Sequence, residues 1–105
     1  MKELKFEWDE KKSSLNSKKH GISFEDATTC FDDDFAEVFD DVSHSETEDR
    51  YLLIGMSLTL KTLVVIFTER DGVNKSEIIN RIISARKATK KEFQYYWTRR
   101  KGMGG

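Results

Sequence analysis

Three apolar segments in the second half of the chain follow one another too closely for helices to connect them. They occupy residues 51–56, 63–68 and 78–86. Parallel neighbours need a crossover of about a dozen or more residues, so these segments are predicted to pair as antiparallel hairpins. The middle segment contains an uninterrupted apolar run over residues 63–67, which predicts a strand buried on both faces. An antiparallel sheet is therefore expected at the centre of the fold.

One further strand and a helix are predicted at the N-terminus. Apolar and charged residues alternate over residues 4–8, which is the period of a half-buried strand. Asp9 or Glu10 can then open a helix that ends near His20. Gly21 follows in the position past the last turn that favours a left-handed backbone.

Capping patterns mark two more helices. Ser23 and Asp26 have the spacing of a capping box, with Ser23 as N-cap. Thr89 and Glu92 have the same spacing and open the final helix. The residues that share one face of the earlier helix are Phe24, Ala27, Thr28 and Phe31. Three aspartates at residues 32–34 end that helix, because aspartate competes for backbone hydrogen bonds.

With a strand over residues 35–42, the predicted order of elements is β-α-α-β-β-β-β-α. This order is typical of an α+β protein with a small, mostly antiparallel sheet, two N-terminal helices and one C-terminal helix. Residues 1–101 are predicted to form a single domain, since the chain is too short for two. Residues 102–105, of which three are glycine, are predicted to be a disordered tail.

The charges are segregated along the chain, although the formal net charge is only −1. Residues 1–24 carry a net +2, residues 25–49 carry −11 with no Lys or Arg, and residues 50–105 carry +8. The acidic segment and the basic half, residues 50–105, either form two faces with different electrostatic tasks or are both solvated surfaces that improve solubility. The acidic segment either docks a basic partner or keeps the protein soluble.

Composition excludes several classes of protein. No segment approaches the roughly 18 apolar residues of a membrane span, and the first residues lack a signal-peptide pattern. We therefore expect a cytoplasmic protein with no membrane partner. The single cysteine, Cys30, cannot form an intramolecular disulfide or a multi-cysteine zinc site, and is expected to pack as a small apolar group. The aspartates at residues 32–34 do not alternate as calcium ligands do, so neither a metal nor a cofactor is expected.

Several motifs occur in the order found in one protein family. Those near the N-terminus are FEWDEKK at residues 6–12, Asn16, and KHGISFE at residues 19–25. Those in the central segments are DR at 49–50, IGMS at 54–57, LVV at 63–65 and TER at 68–70. The most distinctive is RIISARKAT at residues 81–89, followed by Glu92 and Tyr96. Together they resemble the BrnT toxins over nearly the whole chain, with one departure at Asp34, where the family often has proline.

This resemblance implies a ribonuclease toxin of a type II toxin–antitoxin system, with a RelE-like fold. Its partner would be a BrnA-like antitoxin that carries a DNA-binding module. Operator DNA would then be contacted only indirectly, through the toxin–antitoxin complex.

Cleavage of RNA without a metal, by attack of its own 2′-OH, needs a base, an acid and stabilisation of the charged phosphorane. His20 is the natural acid or base, since the ordinary pKa of histidine lies near 6.5. Its alternative role is structural, because a basic residue is also favoured at a helix C-terminus. Glu69 and Arg70 form either a base and phosphate clamp or an ordinary surface ion pair.

Arginine suits phosphate binding because its planar guanidinium can engage two oxygens at once. Arg86 is favoured as a catalytic residue, since it lies where the last strand meets the final helix. Regular alternation places Arg81 on the opposite face, so the two are not expected to contact one phosphate. The candidates for substrate binding are Lys19, Arg50, Arg81 and Tyr96, although a tyrosine at position 96 is more often part of the core.

A non-catalytic module that binds nucleic acid or protein through the basic half is the alternative function. The sequence contains neither a strong recognition-helix motif nor an aromatic ribonucleoprotein motif to support it. A ribonuclease toxin is therefore the leading hypothesis.

Overall fold

The computed structural model describes residues 3–41 and 49–104. Its elements are β1 (Glu3–Glu7), α1 (Glu10–His20), α2 (Phe24–Thr29), a 3-10 turn (Cys30–Asp32), β2 (Glu37–Asp40), β3 (Arg50–Met56), β4 (Thr62–Asp71), β5 (Glu77–Lys87) and α3 (Lys90–Gly104). The α+β class predicted from the sequence is confirmed. Within the described residues, no helix is both long and apolar enough to cross a membrane.

The strands of this part of the chain form one sheet in the order β1-β5-β4-β3-β2. Strands β2 to β5 pair antiparallel with their sequence neighbours. Strand β1 instead pairs parallel with β5, along residues 77–81. The second half of β5 therefore extends past the end of β1, and its edge is open to other elements there.

The helix ends predicted from capping residues are confirmed. The Asp9 carboxylate accepts hydrogen bonds from the backbone of Lys11 and Lys12, at 2.8 and 3.2 Å. Helix α1 ends at Gly21, whose φ of +70° is the left-handed conformation that glycine adopts without strain. Ser23 caps α2 by accepting a hydrogen bond of 3.0 Å from the backbone of Asp26.

Apolar side chains fill both faces of the sheet. The cluster beneath α1 and α2 contains Ile22, Phe24, Ala27, Cys30, Leu53, Leu63, Val65, Phe67, Ile82 and Ala85. The smaller cluster beneath α3 contains Ile54, Val64 and Tyr96. Burial raises the pKa of the Cys30 thiol to about 12, so it stays protonated and packs as an apolar group, as expected.

The buried side chain of Asn16 fixes α1 against β5. Its amide nitrogen donates to the carbonyl oxygens of Ile22 and Ala85, at 3.0 and 2.8 Å. Its amide oxygen accepts from the backbone N–H of Ala85, at 3.1 Å. Asn16 therefore satisfies a backbone pair on the part of β5 that β1 does not reach.

A β-bulge changes which face β5 presents. Ile66 of β4 pairs with Ser84, and the next residue, Phe67, pairs with Ile82. Ile83 thus has no partner on β4. An extra residue in one strand exchanges the faces of all residues beyond it. The regular alternation predicted for this strand is therefore wrong past the bulge.

Three element boundaries differ from the predictions. Strand β2 covers only residues 37–40, and residue 42 lies outside the described residues. Helix α2 gives way to a 3-10 turn before the aspartates. Helix α3 continues to Gly104, although a disordered tail was predicted from residue 102. Glycine lowers helix propensity by only about 1 kcal/mol, and a helix that is already nucleated can extend over it. Gly105 is outside the described residues.

Candidate functional site

Arginines from three strands lie on the α3 side of the sheet. Residues directly opposite each other in an antiparallel sheet share a face. Thr68 of β4 lies opposite both Arg50 of β3 and Arg81 of β5. Val64, an even number of residues away on the same strand, lies opposite Arg86. Arg50, Arg81 and Arg86 therefore project to one side.

Arg70 is two residues from Thr68 on β4 and joins them on the same side. We call the surface formed by Arg50, Arg70, Arg81 and Arg86 the arginine face. The prediction that Arg81 and Arg86 lie on opposite faces is wrong, because the bulge at Ile83 shifts the alternation between them.

Glu7, at the end of β1, connects two arginines of this face. Its carboxylate accepts hydrogen bonds from Arg70 at 2.8 Å and from Arg81 at 3.1 Å. Burial acts to raise the pKa of Glu7, but the hydrogen bonds from Arg81 and Arg70 lower it overall. The side chains of Arg70 and Arg81 are 61% and 45% exposed. Both guanidiniums are therefore also accessible to an anion in solution. Sequence reasoning missed Glu7 as a site residue.

Arg86 is engaged within the protein. Its guanidinium forms two hydrogen bonds with the Glu92 carboxylate, at 2.7 and 3.0 Å. The hydrogen bond from Arg86 lowers the pKa of Glu92 to about 2, against the opposing effect of burial. Glu92 also accepts from the backbone of Thr89 at 2.7 Å, which confirms the predicted capping box. Arg86 therefore fixes the start of α3 beside the arginine face.

Glu69 and Arg70 are not brought together. They are successive residues of β4, so their side chains project to opposite faces of the sheet. Glu69 lies opposite Asn80, whose face also carries Ile78 and Ile82. The predicted combination of base and clamp on one phosphate is therefore wrong.

The basic residues His20 and Lys19 end α1, the helix that Asn16 ties to the open edge of β5. His20 follows Asn16 by one helical turn, so the two share a helix face, and Asn16 contacts Ala85. The His20 side chain is half-buried, whereas that of Lys19 is exposed. Helix α1 is thus attached through Asn16 to β5, the strand that supplies Arg81 and Arg86.

Tyr96 is internal, so it is the core residue given as the alternative and not the substrate-binding candidate. The side chain is 1% exposed, and its hydroxyl donates to Asp33 and accepts from Arg100 at 2.7 Å. Burial, together with the hydrogen bond to Asp33, raises the pKa of Tyr96 to about 12. The phenol joins α3 to the segment after α2 and cannot stack on an RNA base in this conformation.

Only the middle aspartate of residues 32–34 turns inward. Asp33 accepts hydrogen bonds from the backbone of Phe35 at 2.9 Å and of Met56 at 2.8 Å. Asp32 and Asp34 are exposed. Among the residues that the structure describes, no group of three or more His, Cys, Asp or Glu side chains could hold a metal ion.

The fold and the arginine face define a small α+β protein with an arginine-rich surface on its sheet. Residues 8–92 match the family model for the ribonuclease toxin BrnT of type II toxin–antitoxin systems. The crystal structure of the Brucella abortus ribonuclease toxin BrnT is similar, with 31% identity and a TM-score of 0.58, over 84% of this chain and 100% of that one. No curated protein matches the chain. The chain belongs to the BrnT family of ribonuclease toxins, as its sequence motifs indicate.

Proposed function

We propose that this protein is an endoribonuclease that cleaves RNA without a metal ion, by attack of the substrate 2′-OH on the adjacent phosphorus. The observation that carries this proposal is that Arg50, Arg70 and Arg81 lie on one sheet face, where Arg70 and Arg81 both contact the Glu7 carboxylate. Guanidinium groups can bind the phosphate oxygens and stabilise the additional charge of the phosphorane. The products would be a 2′,3′-cyclic phosphate and a free 5′-hydroxyl.

Arg70 and Arg81 are the proposed phosphate ligands, and Glu7 is the proposed base. When a substrate phosphate accepts hydrogen bonds from Arg70 and Arg81, Glu7 loses the hydrogen bonds that lower its pKa. The carboxylate then becomes more basic at the moment when the 2′-OH must give up its proton. Binding of the substrate would thus activate the group that starts the reaction.

His20 is the proposed acid that protonates the leaving 5′-oxygen, since it is the histidine on the helix that Asn16 ties to β5. Arg50 and Lys19 would bind neighbouring phosphates of the RNA. Arg86 acts through Glu92, by positioning α3 at the border of the site.

The proposed partner is a BrnA-like antitoxin, which would inhibit the toxin. Within the toxin–antitoxin complex, the antitoxin would be the subunit that contacts operator DNA. A RelE-like fold and a cytoplasmic location are part of the same proposal. The fold is inferred from the family, and the location is inferred from the proposed RNA substrate.

The test is incubation of the purified chain with single-stranded RNA in EDTA, alone and with translation components. Cleavage that leaves 2′,3′-cyclic phosphate ends is expected. His20→Ala should slow it, whereas Lys18→Ala, which removes an exposed charge from the same helical turn, should not. RNA binding without cleavage under every condition would favour the non-catalytic module. Equal rates for His20→Ala and the wild type would remove His20 from the mechanism.

A further inference from the structure

The turn between β3 and β4 exposes two leucines. Leu58 and Leu60 are 77% and 78% exposed. Leu60 has a φ of +65°, a left-handed conformation that glycine or asparagine adopts at lower cost. Neither the packing nor the backbone conformation of the turn explains large apolar side chains at these positions.

Hydrogen bonds to α2 hold this turn in place. The Thr59 hydroxyl donates to the Asp26 carboxylate at 2.7 Å. The backbone N–H of Leu58 donates to the Thr29 hydroxyl at 2.9 Å. The turn itself is closed by a hydrogen bond of 2.9 Å from Leu60 to the carbonyl of Ser57. The two leucines are therefore presented on a fixed support.

A cavity of about 290 Å³ lies between this turn and the segment that follows α2. Phe35, Met56 and the two leucines supply apolar lining, while Asp32 and Asp34 add exposed carboxylates. Arg100 also lines the cavity, but Asp33 lies 3.7 Å from its guanidinium and the Phe35 ring centroid lies 4.6 Å from it. We call Leu58, Leu60 and this cavity the leucine–aspartate surface.

The negative charge of this surface favours a basic protein segment over RNA as its binding partner. Three carboxylates, those of Asp32, Asp33 and Asp34, line the cavity, and the only lining cation among the described residues, Arg100, lies against Asp33 and the Phe35 ring. An RNA phosphate would be repelled here, whereas it would be attracted to the arginine face. A Lys or Arg side chain suits the cavity, because its apolar stem can pack on the lining while its charged end meets the aspartates. A neighbouring apolar side chain on the same segment can cover the leucines.

We propose that the leucine–aspartate surface docks a basic, amphipathic segment of the antitoxin. This inference rests on the proposed function for the existence of that partner. It separates the two tasks of the molecule, since RNA would bind to the sheet while the antitoxin would be anchored outside the arginine face.

The test is the affinity of the full chain for the protein encoded by the adjacent gene, measured by titration calorimetry. Leu60→Gly relieves the φ constraint while it removes the side chain, so this variant is expected to fold. We expect it, and the double variant Asp32→Asn/Asp34→Asn, to raise Kd at least about tenfold. Leu15→Ser, at an exposed leucine on α1, should stay within about twofold of the wild type.

Affinities of the two test variants equal to the wild type would overturn the proposal, provided that their thermal unfolding is unchanged. Absence of any complex with the wild-type chain would also overturn the proposal. The proposed ribonuclease activity is tested separately, by the RNA cleavage assay. A wild-type dimer that Leu60→Gly dissociates on a sizing column would assign the surface to a second copy of the chain instead.

Discussion

Arg81 and Arg86 are five residues apart on one strand and nevertheless project to the same face of the sheet. Ile83 lies unpaired between them and shifts the alternation by one residue. Arg81 is thereby aligned with Arg50 and Arg70, while Arg86 reaches Glu92 at the start of α3. One bulge thus both assembles the arginine face and attaches the helix that borders it.

Glu7→Gln should separate RNA binding from RNA cleavage. The substitution removes a negative charge that competes with phosphate for Arg70 and Arg81, so RNA should bind more tightly. It also removes the proposed base, so cleavage should slow by about 100-fold. Fluorescence anisotropy and single-turnover rates measure the two effects. Glu69→Gln, on the opposite face, is the matched control, and an unchanged rate in Glu7→Gln would exclude Glu7 as the base.

Glu92→Gln should reduce the free energy of unfolding in a pH-dependent way. The pKa of Glu92 falls from 4.5 to about 2 on folding, so its stabilising effect is fully present above pH 4.5 and is lost as the pH falls through 2. At pH 7 we expect a loss of about 2 kcal/mol. Urea unfolding at several pH values should show the difference from wild type shrinking toward pH 2. A difference that does not vary with pH would contradict this role for the ion pair.

Asn16→Ala should destabilise the protein by about 3 kcal/mol. It leaves the backbone groups of Ala85 and the carbonyl of Ile22 without their partner in a buried setting. Denaturant unfolding of this variant is compared with that of Ser14→Ala, an exposed position of the same helix. A loss below about 0.5 kcal/mol would show that α1 is not held by Asn16.

Local signals predicted much of this structure. Asp9, Gly21, Ser23 and Thr89 mark helix ends through bonds between residues a few positions apart, and each functions as expected. The bulge has no such marker, because Ile83 is a β-branched residue typical of a regular strand, and no glycine, which often signals a bulge, lies in β5.

The contacts that the sequence did not reveal join distant parts of the chain. Glu7 meets arginines 63 and 74 residues later, and only the pairing of β1 with β5 brings them together. Tyr96 donates a hydrogen bond to Asp33, 63 residues away in the sequence. This long-range contact buries a side chain that the sequence had offered as a candidate for RNA binding. Residue type alone suggested arginines as candidate phosphate ligands, but the register of the sheet decides which of them share a face.

The rate of RNA cleavage in EDTA, compared between Arg81→Ala and Lys87→Ala, tests the central claim most directly. Both substitutions remove one positive charge from β5, but Arg81 belongs to the arginine face, whereas Lys87 is exposed opposite Leu63 on the other side of the sheet. We predict that Arg81→Ala loses about 100-fold or more in rate and that Lys87→Ala retains the wild-type rate. Equal rates for the two variants would contradict the assignment of the arginine face as the ribonuclease site.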